Sequence, residues 1–183
     1  MGNTFSDNFD GIRILSIGRI DYIKGYDMAI EACDYLLRQG YNIRWYICGQ
    51  GKSEYNSLKE KVSSLGIEDS FIWLGNQINP YGYLQNCDLF VQCSRSEGYC
   101  LTIHEARVLY KPIISTKTQG ALEQIIDNVN GWLVQIDYES IANKIEWCLN
   151  NPAECIRISD NLKKESRYEI DTICVINKLL EKS

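Results

Sequence analysis

Short apolar runs separated by longer amphipathic stretches set the rhythm of this chain. Residues 12–17, 43–48, 71–74, 89–92, 112–115 and 132–134 have strand composition and are too short for buried helices. Between them the period changes to that of a helix. Residues 25–38 put Met28, Ala29, Ala32, Tyr35 and Leu36 on one stripe, with Gly40 just past the end. Residues 54–65 form a second helix closed by Gly66, and Asn79-Pro80 opens a short one to Asn86. A polar turn from Ser96 runs into an apolar helix, residues 121–127 read as a short helix, and Asp137 caps a helix reaching Asn150. The remainder, 151–183, is amphipathic and reads as a helical tail. Strands this apolar have no face to offer water, so strict alternation with helices predicts an α/β domain, a doubly wound parallel sheet covered on both sides. The expected division is a lead-in over 1–11, the domain over 12–150 and the tail over 151–183.

Composition narrows the function. The chain has 183 residues, 45% of them hydrophobic, enough for one well-buried domain. A net charge of −5 disfavours nucleic acid, whose phosphates demand clustered Lys and Arg, but leaves room for a small anion. The eight cysteines are scattered through apolar segments with no C-x-x-C pair, which predicts reduced, buried thiols and a cytoplasmic setting. No apolar run approaches the length of a membrane span. Met1-Gly2 with Ser6 formally fits an N-myristoylation pattern, which so short a match leaves weak. No cluster has metal-ligand spacing, and no metal or cofactor is expected.

Candidate chemistry gathers where strands turn into helices. Glu97 and Glu105 lie eight residues apart across the corner after the fourth strand. On one continuous helix they would point about 80° apart, so a shared ligand requires Glu97 in the loop and Glu105 in the helix. Taken alone, glutamates near a helix start are explained by the macrodipole. Arg19 and Lys24 flank the first strand-to-helix turn, where cations are mildly unfavourable unless an anion such as phosphate sits between them. Gly18 would let the backbone approach that anion. Gly49-Gln50-Gly51-Lys52-Ser53 ends like a phosphate-binding Walker loop, but Tyr46 occupies the place of the required first glycine. His104 neighbours Glu105 yet points about 100° away on a helix, so packing or a surface position suits it better than catalysis. Paired carboxylates also suit a glycoside hydrolase, which needs an open sugar cleft.

Together these segments resemble the C-terminal, donor-binding domain of retaining GT-B glycosyltransferases of the group 1 (family 4) type. The ordered matches are Gly18-Arg19, Lys24-Gly25, Gly49-Gln50-Gly51, residues 71–75, residues 87–91, residues 94–99, Glu105-Ala106, residues 111–114 and residues 130–134. Glu97 to Glu105 matches the E-x7-E signature of that family. The resemblance implies a Rossmann-like half of a GT-B fold and a nucleotide-sugar donor, UDP- or GDP-linked. Arg19, Lys24 and Gly18 would hold its diphosphate, Glu105 the ribose, and Glu97 would lie at the transferred sugar. Backbone groups of Gly98, Tyr99, Cys100 and Leu101 would meet sugar or phosphate, and the loop of Ile78 and Asn79 would lie beside the base. Cys100 stands where the family often has glycine or proline, and Gln119-Gly120 where it has a glycine pair. The resemblance further implies an acceptor-binding N-terminal domain not present in this sequence, through which any membrane contact would run. The isolated piece would then bind without efficient chemistry. A non-catalytic nucleotide-sugar binding module and a GT-B sugar-nucleotide epimerase share the fold and remain alternatives.

Overall fold

The computed structural model describes residues 5–51 and 54–165. The myristoylation pattern at Met1-Gly2, Lys52-Ser53 of the Walker-like stretch and the tail beyond Glu165 lie outside the described residues. Six strands, β1 (Ile12–Ile17), β2 (Ile43–Cys48), β3 (Phe71–Gly75), β4 (Leu89–Gln92), β5 (Ile113–Thr116) and β6 (Trp132–Val134), form one sheet in the order 3-2-1-4-5-6. Every pairing is parallel. The chain runs outward from β1 to β3, then returns to the other side of β1 for β4. That reversal makes the crevice beyond the carboxyl ends of β1 and β4 the ligand position of an open α/β sheet.

The connecting helices are α1 (Tyr26–Arg38), α2 (Tyr55–Leu65), α3 (Tyr81–Asn86), α4 (Leu101–Val108), α5 (Gln119–Leu122), α6 (Tyr138–Asn150) and α7 (Pro152–Glu165). The period-2 geometry of the strands feeds two cores. Ile14, Trp45, Val91, Ile114 and Trp132 pack with α1, α2, α6 and α7, whereas Leu15, Tyr46, Phe90 and Ile113 pack with α3, α4 and α5. Burial on both faces explains the unbroken apolar character of each strand. Ile158 and Leu162 of α7 belong to the first core, so the packed body extends through Glu165.

Two of the differences from expectation have clear local causes. α1 starts one residue late because Gly25 adopts a left-handed conformation, φ 67°, and closes a 3-10 turn over Tyr22–Lys24. α5 is a four-residue turn of helix, displaced from the expected 121–127. Thr118 caps it, and beyond Leu122 side chains recruit the backbone into turns. Asn130 Oδ1 accepts from Ile126 N–H at 2.8 Å, and Asp127 Oδ1 accepts from Leu133 N–H at 2.9 Å. Such local bonds compete with helix continuation.

The polar lead-in is also more structured than its composition suggests. Phe5 is buried against Tyr46 and Tyr83. Asp7 joins Arg13 at 3.0 Å, Arg44 at 2.9 Å and the Tyr46 hydroxyl, tying the lead-in to β1 and β2. Burial alone would raise the Asp7 carboxyl, but hydrogen bonds from Tyr46, Arg13 and Arg44 outweigh it and lower it from 3.8 to about 2. A lowered native pKa stabilises the fold above the unfolded value, and that contribution disappears as pH falls from about 4 through about 2. Asp7→Asn should therefore unfold more easily than the parent at pH 5, with the gap narrowing toward pH 2. Urea melts at the two pH values check this, and a gap independent of pH would exclude the carboxylate as its source.

Candidate functional site

Lys24 and Glu97 come from turns 73 residues apart and meet at the β1/β4 crevice, with Lys24 Nζ 2.5 Å from Glu97 Oε1. The lysine ends the 3-10 turn, whose N-cap Asp21 accepts from Lys24 N–H at 3.2 Å. Its side-chain stem passes over Gly18. Arg19 remains 75% exposed and pairs with Asp21 at 2.6 Å, so it projects toward solvent at the rim.

Two further bonds fix the lysine turn against the loop after β4. Arg95 N–H donates to the Ile23 carbonyl at 2.7 Å. The Arg95 guanidinium also clamps both oxygens of Asp27, in the first turn of α1, at 2.8 and 2.6 Å, and lies 4.1 Å from the Tyr22 ring centre. Burial would raise the Asp27 carboxyl, but the Arg95 fork outweighs this and lowers it. The sequence reading assigned Arg95 no role. Its partner is 68 residues away, and only the sheet order places β4 beside the start of α1.

Glu97 lies in the loop and Glu105 in α4, as a shared site requires. The Glu97 carboxylate also accepts from Ser94 Oγ at 2.5 Å and Gln92 Nε2 at 3.3 Å. Gln92 and Ser94 are buried, and sequence reasoning missed them because they sit in an apolar strand and its continuation. The Glu97 carbonyl accepts from Gly120 N–H at 3.1 Å. Gly120 packs so closely on this turn that a Cβ there would fall 1.8 Å from the Gly98 carbonyl oxygen. Gly120, the one glycine of the Gln119-Gly120 pair, thus supports the loop from behind.

Gly98 itself faces open space. Tyr99 and Leu101 expose their side chains, while Cys100 buries its thiol at the N-cap of α4. No side chain caps this helix, so its first N–H groups have no intrahelical acceptor. Glu105 accepts from the Tyr81 hydroxyl at 2.9 Å. Burial between α3 and α4 raises its carboxyl, partly offset by that bond. His104 lies on another side of α4, with Nδ1 3.5 Å from the Tyr99 hydroxyl.

A cleft of about 710 Å3 opens beside these groups, beyond β1, β2 and β3, lined by Gly18, Arg19, Gln50, Gly51, Gln77 and Pro80 among others. It shares Gly18 and Arg19 with the crevice, whereas Lys24, Glu97 and Glu105 lie outside its lining. In the loop expected beside a base, Gln77 and Pro80 reach the cleft. Ile78 is fully exposed, and Asn79 Oδ1 accepts from Tyr81 N–H at 3.1 Å at the start of α3. Among the described residues no cysteine is disulfide-bonded, and Cys174 lies outside them. No described helix is long and apolar enough to cross a membrane.

This arrangement, a doubly wound domain with a lysine paired to a glutamate at its switch point and a second glutamate in the helix that follows, is that of one half of a GT-B fold. The model of the family described as glycosyl transferases group 1 matches residues 6–165, and the chain belongs to that family. It is 26% identical over 156 residues to the capsular polysaccharide biosynthesis glycosyltransferase CapM of Staphylococcus aureus, covering 85% of this chain and 41% of CapM. It is 34% identical over 130 residues to the amylovoran biosynthesis glycosyltransferase AmsK of Erwinia amylovora, covering 67% of this chain and 32% of AmsK. The chain thus spans less than half the length of these two relatives. Among solved structures, the C-terminal domain of the group 1 glycosyltransferase LpcC from Francisella tularensis superposes with a TM-score of 0.77 at 25% identity, covering 85% of this chain and 84% of that one. Anabaena HepE, crystallised with UDP, superposes with a TM-score of 0.80 at 23% identity, over 94% of this chain and 48% of that one. The fold is that of the C-terminal domain of a group 1 glycosyltransferase.

Proposed function

We propose that this domain binds the donor of a retaining glycosyltransferase, a nucleoside-diphosphate sugar, in the crevice beyond β1 and β4. The observation that carries the reading is the meeting of Lys24 and Glu97, from two separate turns, at that crevice beside an open cleft, with Glu105 further along α4, the helix that follows the Glu97 loop. The nucleoside occupies the cleft beside Gln77 and Pro80, and the diphosphate crosses Gly18 toward the start of α4. Lys24 and Arg19 meet the negative charge that grows on the diphosphate as the glycosidic bond breaks, where fixed cations lower the barrier most. The uncapped N-terminus of α4 adds N–H donors from the stretch Gly98 to Leu101. Glu105, an acceptor-only group, takes the ribose hydroxyls, and Glu97 faces the transferred sugar. No metal or cofactor is assigned a part. HepE, crystallised with UDP and with UDP-glucose, supports a uridine nucleotide as the first donor to try.

The acceptor is a growing polysaccharide or glycolipid, in line with CapM and AmsK, and is held by a second domain beyond these 183 residues. Turnover needs both walls of that cleft, so this chain binds donor without efficient transfer. Titration calorimetry with UDP, GDP and ADP tests the reading. Binding of one of them by the folded chain is expected, and failure of all three at millimolar concentration would exclude it. Lys24→Ala should weaken the bound nucleotide by about 1.5–3 kcal/mol, the range for a hydrogen bond to a charged group. An unchanged Kd would remove Lys24 from the diphosphate site.

A further inference from the structure

Before any anion arrives, the lysine assigned to the diphosphate already has a partner. Lys24 and Glu97 are 18% and 14% exposed, so their contact is sheltered from the solvent screening that makes surface pairs weak. The two ends of the pair are held differently. Lys24 reaches the contact on a long, rotatable stem. Glu97 Oε1 is held as well by Ser94 Oγ at 2.5 Å and Gln92 Nε2 at 3.3 Å. Those donors are themselves fixed: Gln92 Nε2 donates to Ser94 Oγ at 2.7 Å, and Thr116 Oγ1 donates to the Ser94 carbonyl at 2.5 Å. Ser94 and Thr116 are fully buried and Gln92 is 3% exposed. One partner of the ion pair can move, and the other is set in a rigid polar network.

We propose that Glu97 is the resident counter-ion of Lys24 in the empty site, that a donor diphosphate takes the lysine from it by exchange, and that Ser94 and Gln92 hold the carboxylate in place once the lysine has left. This rests on the donor-site reading above. Ser94 and Gln92 act through Glu97 and are positioning residues. The exchange costs affinity, because the nucleotide must first break an ion pair. It also leaves Glu97 hydrogen-bonded but no longer neutralised, facing the sugar at the moment that donor is bound.

The test is a double-mutant cycle read by calorimetric UDP binding, or by GDP or ADP if one of those is the nucleotide bound. Glu97→Gln preserves shape and an acceptor for Ser94 while removing the charge, so it should bind UDP roughly 5- to 50-fold more tightly than the parent. Simple repulsion between Glu97 and phosphate would also give a gain, so the same substitution is made in a Lys24→Gln background. There the gain should vanish, because no lysine remains to be released. Ser94→Ala should weaken UDP binding several-fold in the parent and have little effect in the Glu97→Gln background, a charge dependence that a structural role would not produce. Melting curves establish that each variant is folded, and Lys24→Met replaces Lys24→Gln if the latter is not. UDP binding unchanged or weakened in Glu97→Gln overturns the exchange, as does a gain that survives loss of the lysine. An equal effect of Ser94→Ala in both backgrounds overturns the positioning role. If the parent binds none of the three nucleotides, the donor reading falls and the exchange with it.

Discussion

Trp45→Ala is expected to destabilise the domain by about 3–5 kcal/mol, the range for removing a large buried aromatic side chain. Trp45 lies at the centre of β2 with no exposed surface and packs 6.1 Å from the Phe71 ring centre. Its loss leaves a cavity between the sheet and α1 that the close-packed neighbours cannot fill. A polar cost adds to it. The indole N–H donates to Ser16 Oγ at 2.9 Å, and that hydroxyl donates to the Val91 carbonyl at 2.6 Å. The chain of bonds crosses β2, β1 and β4, and the last two carry the lysine turn and the glutamate loop at their ends. In a domain of this size a loss of that magnitude lowers Tm by roughly 6–20 °C. Trp45→Phe also loses the indole N–H but keeps most of the volume, so it should cost much less. Thermal melts of the two variants decide the matter. Equal, small shifts for both would mean that the site can collapse around the missing ring.

Trp45 also illustrates how much of the fold was legible. Its run of apolar residues announced a strand, and the alternation of such runs with amphipathic helices implied the parallel sheet. Glycines after strands marked the turns on which a ligand would sit. Which face of each strand meets which helices could not be read, because strands buried on both sides carry no polar alternation. Ser16, Gln92, Ser94 and Thr116 are polar yet buried: Ser16 and Thr116 donate to carbonyls of β4 and its continuation, across the sheet, while Gln92 and Ser94 are satisfied locally, by each other and by Glu97. The site was legible in its ingredients. Lys24, Glu97 and Glu105 were each marked by position, but the direct contact of Lys24 with Glu97 and the Arg95–Asp27 clamp depend on β4 lying next to β1. The lead-in misled for a related reason: Asp7 looks like solvated loop until its partners Arg13, Arg44 and Tyr46 are brought together by β1 and β2.

Gly25→Ala should be comparably severe, about 3 kcal/mol or more, and should weaken nucleotide binding beyond what instability explains. Two independent effects add. At φ 67° the residue is left-handed, a conformation that costs an L-residue roughly 1–2 kcal/mol. A Cβ there would also fall 2.2 Å from the Cys93 carbonyl oxygen and 2.5 Å from the Met28 Cε. The methionine end can rotate away, but the Cys93 carbonyl is backbone at the end of β4. Relief therefore requires the Tyr22–Lys24 turn and the β4 loop to separate, and these are the two segments that bring Lys24 to Glu97. Separation would strain the Arg95–Ile23 backbone bond as well, which joins the two segments at 2.7 Å. The informative comparison is with Gly40→Ala, another left-handed glycine, φ 86°, whose Cβ would meet nothing within 4 Å. That variant carries the backbone strain without the clash and lies away from the crevice. It should lose about 1–2 kcal/mol and keep its nucleotide affinity. If Gly25→Ala behaves the same way in melts and in calorimetry, the close approach of the lysine turn to β4 is not what sets the geometry of the site.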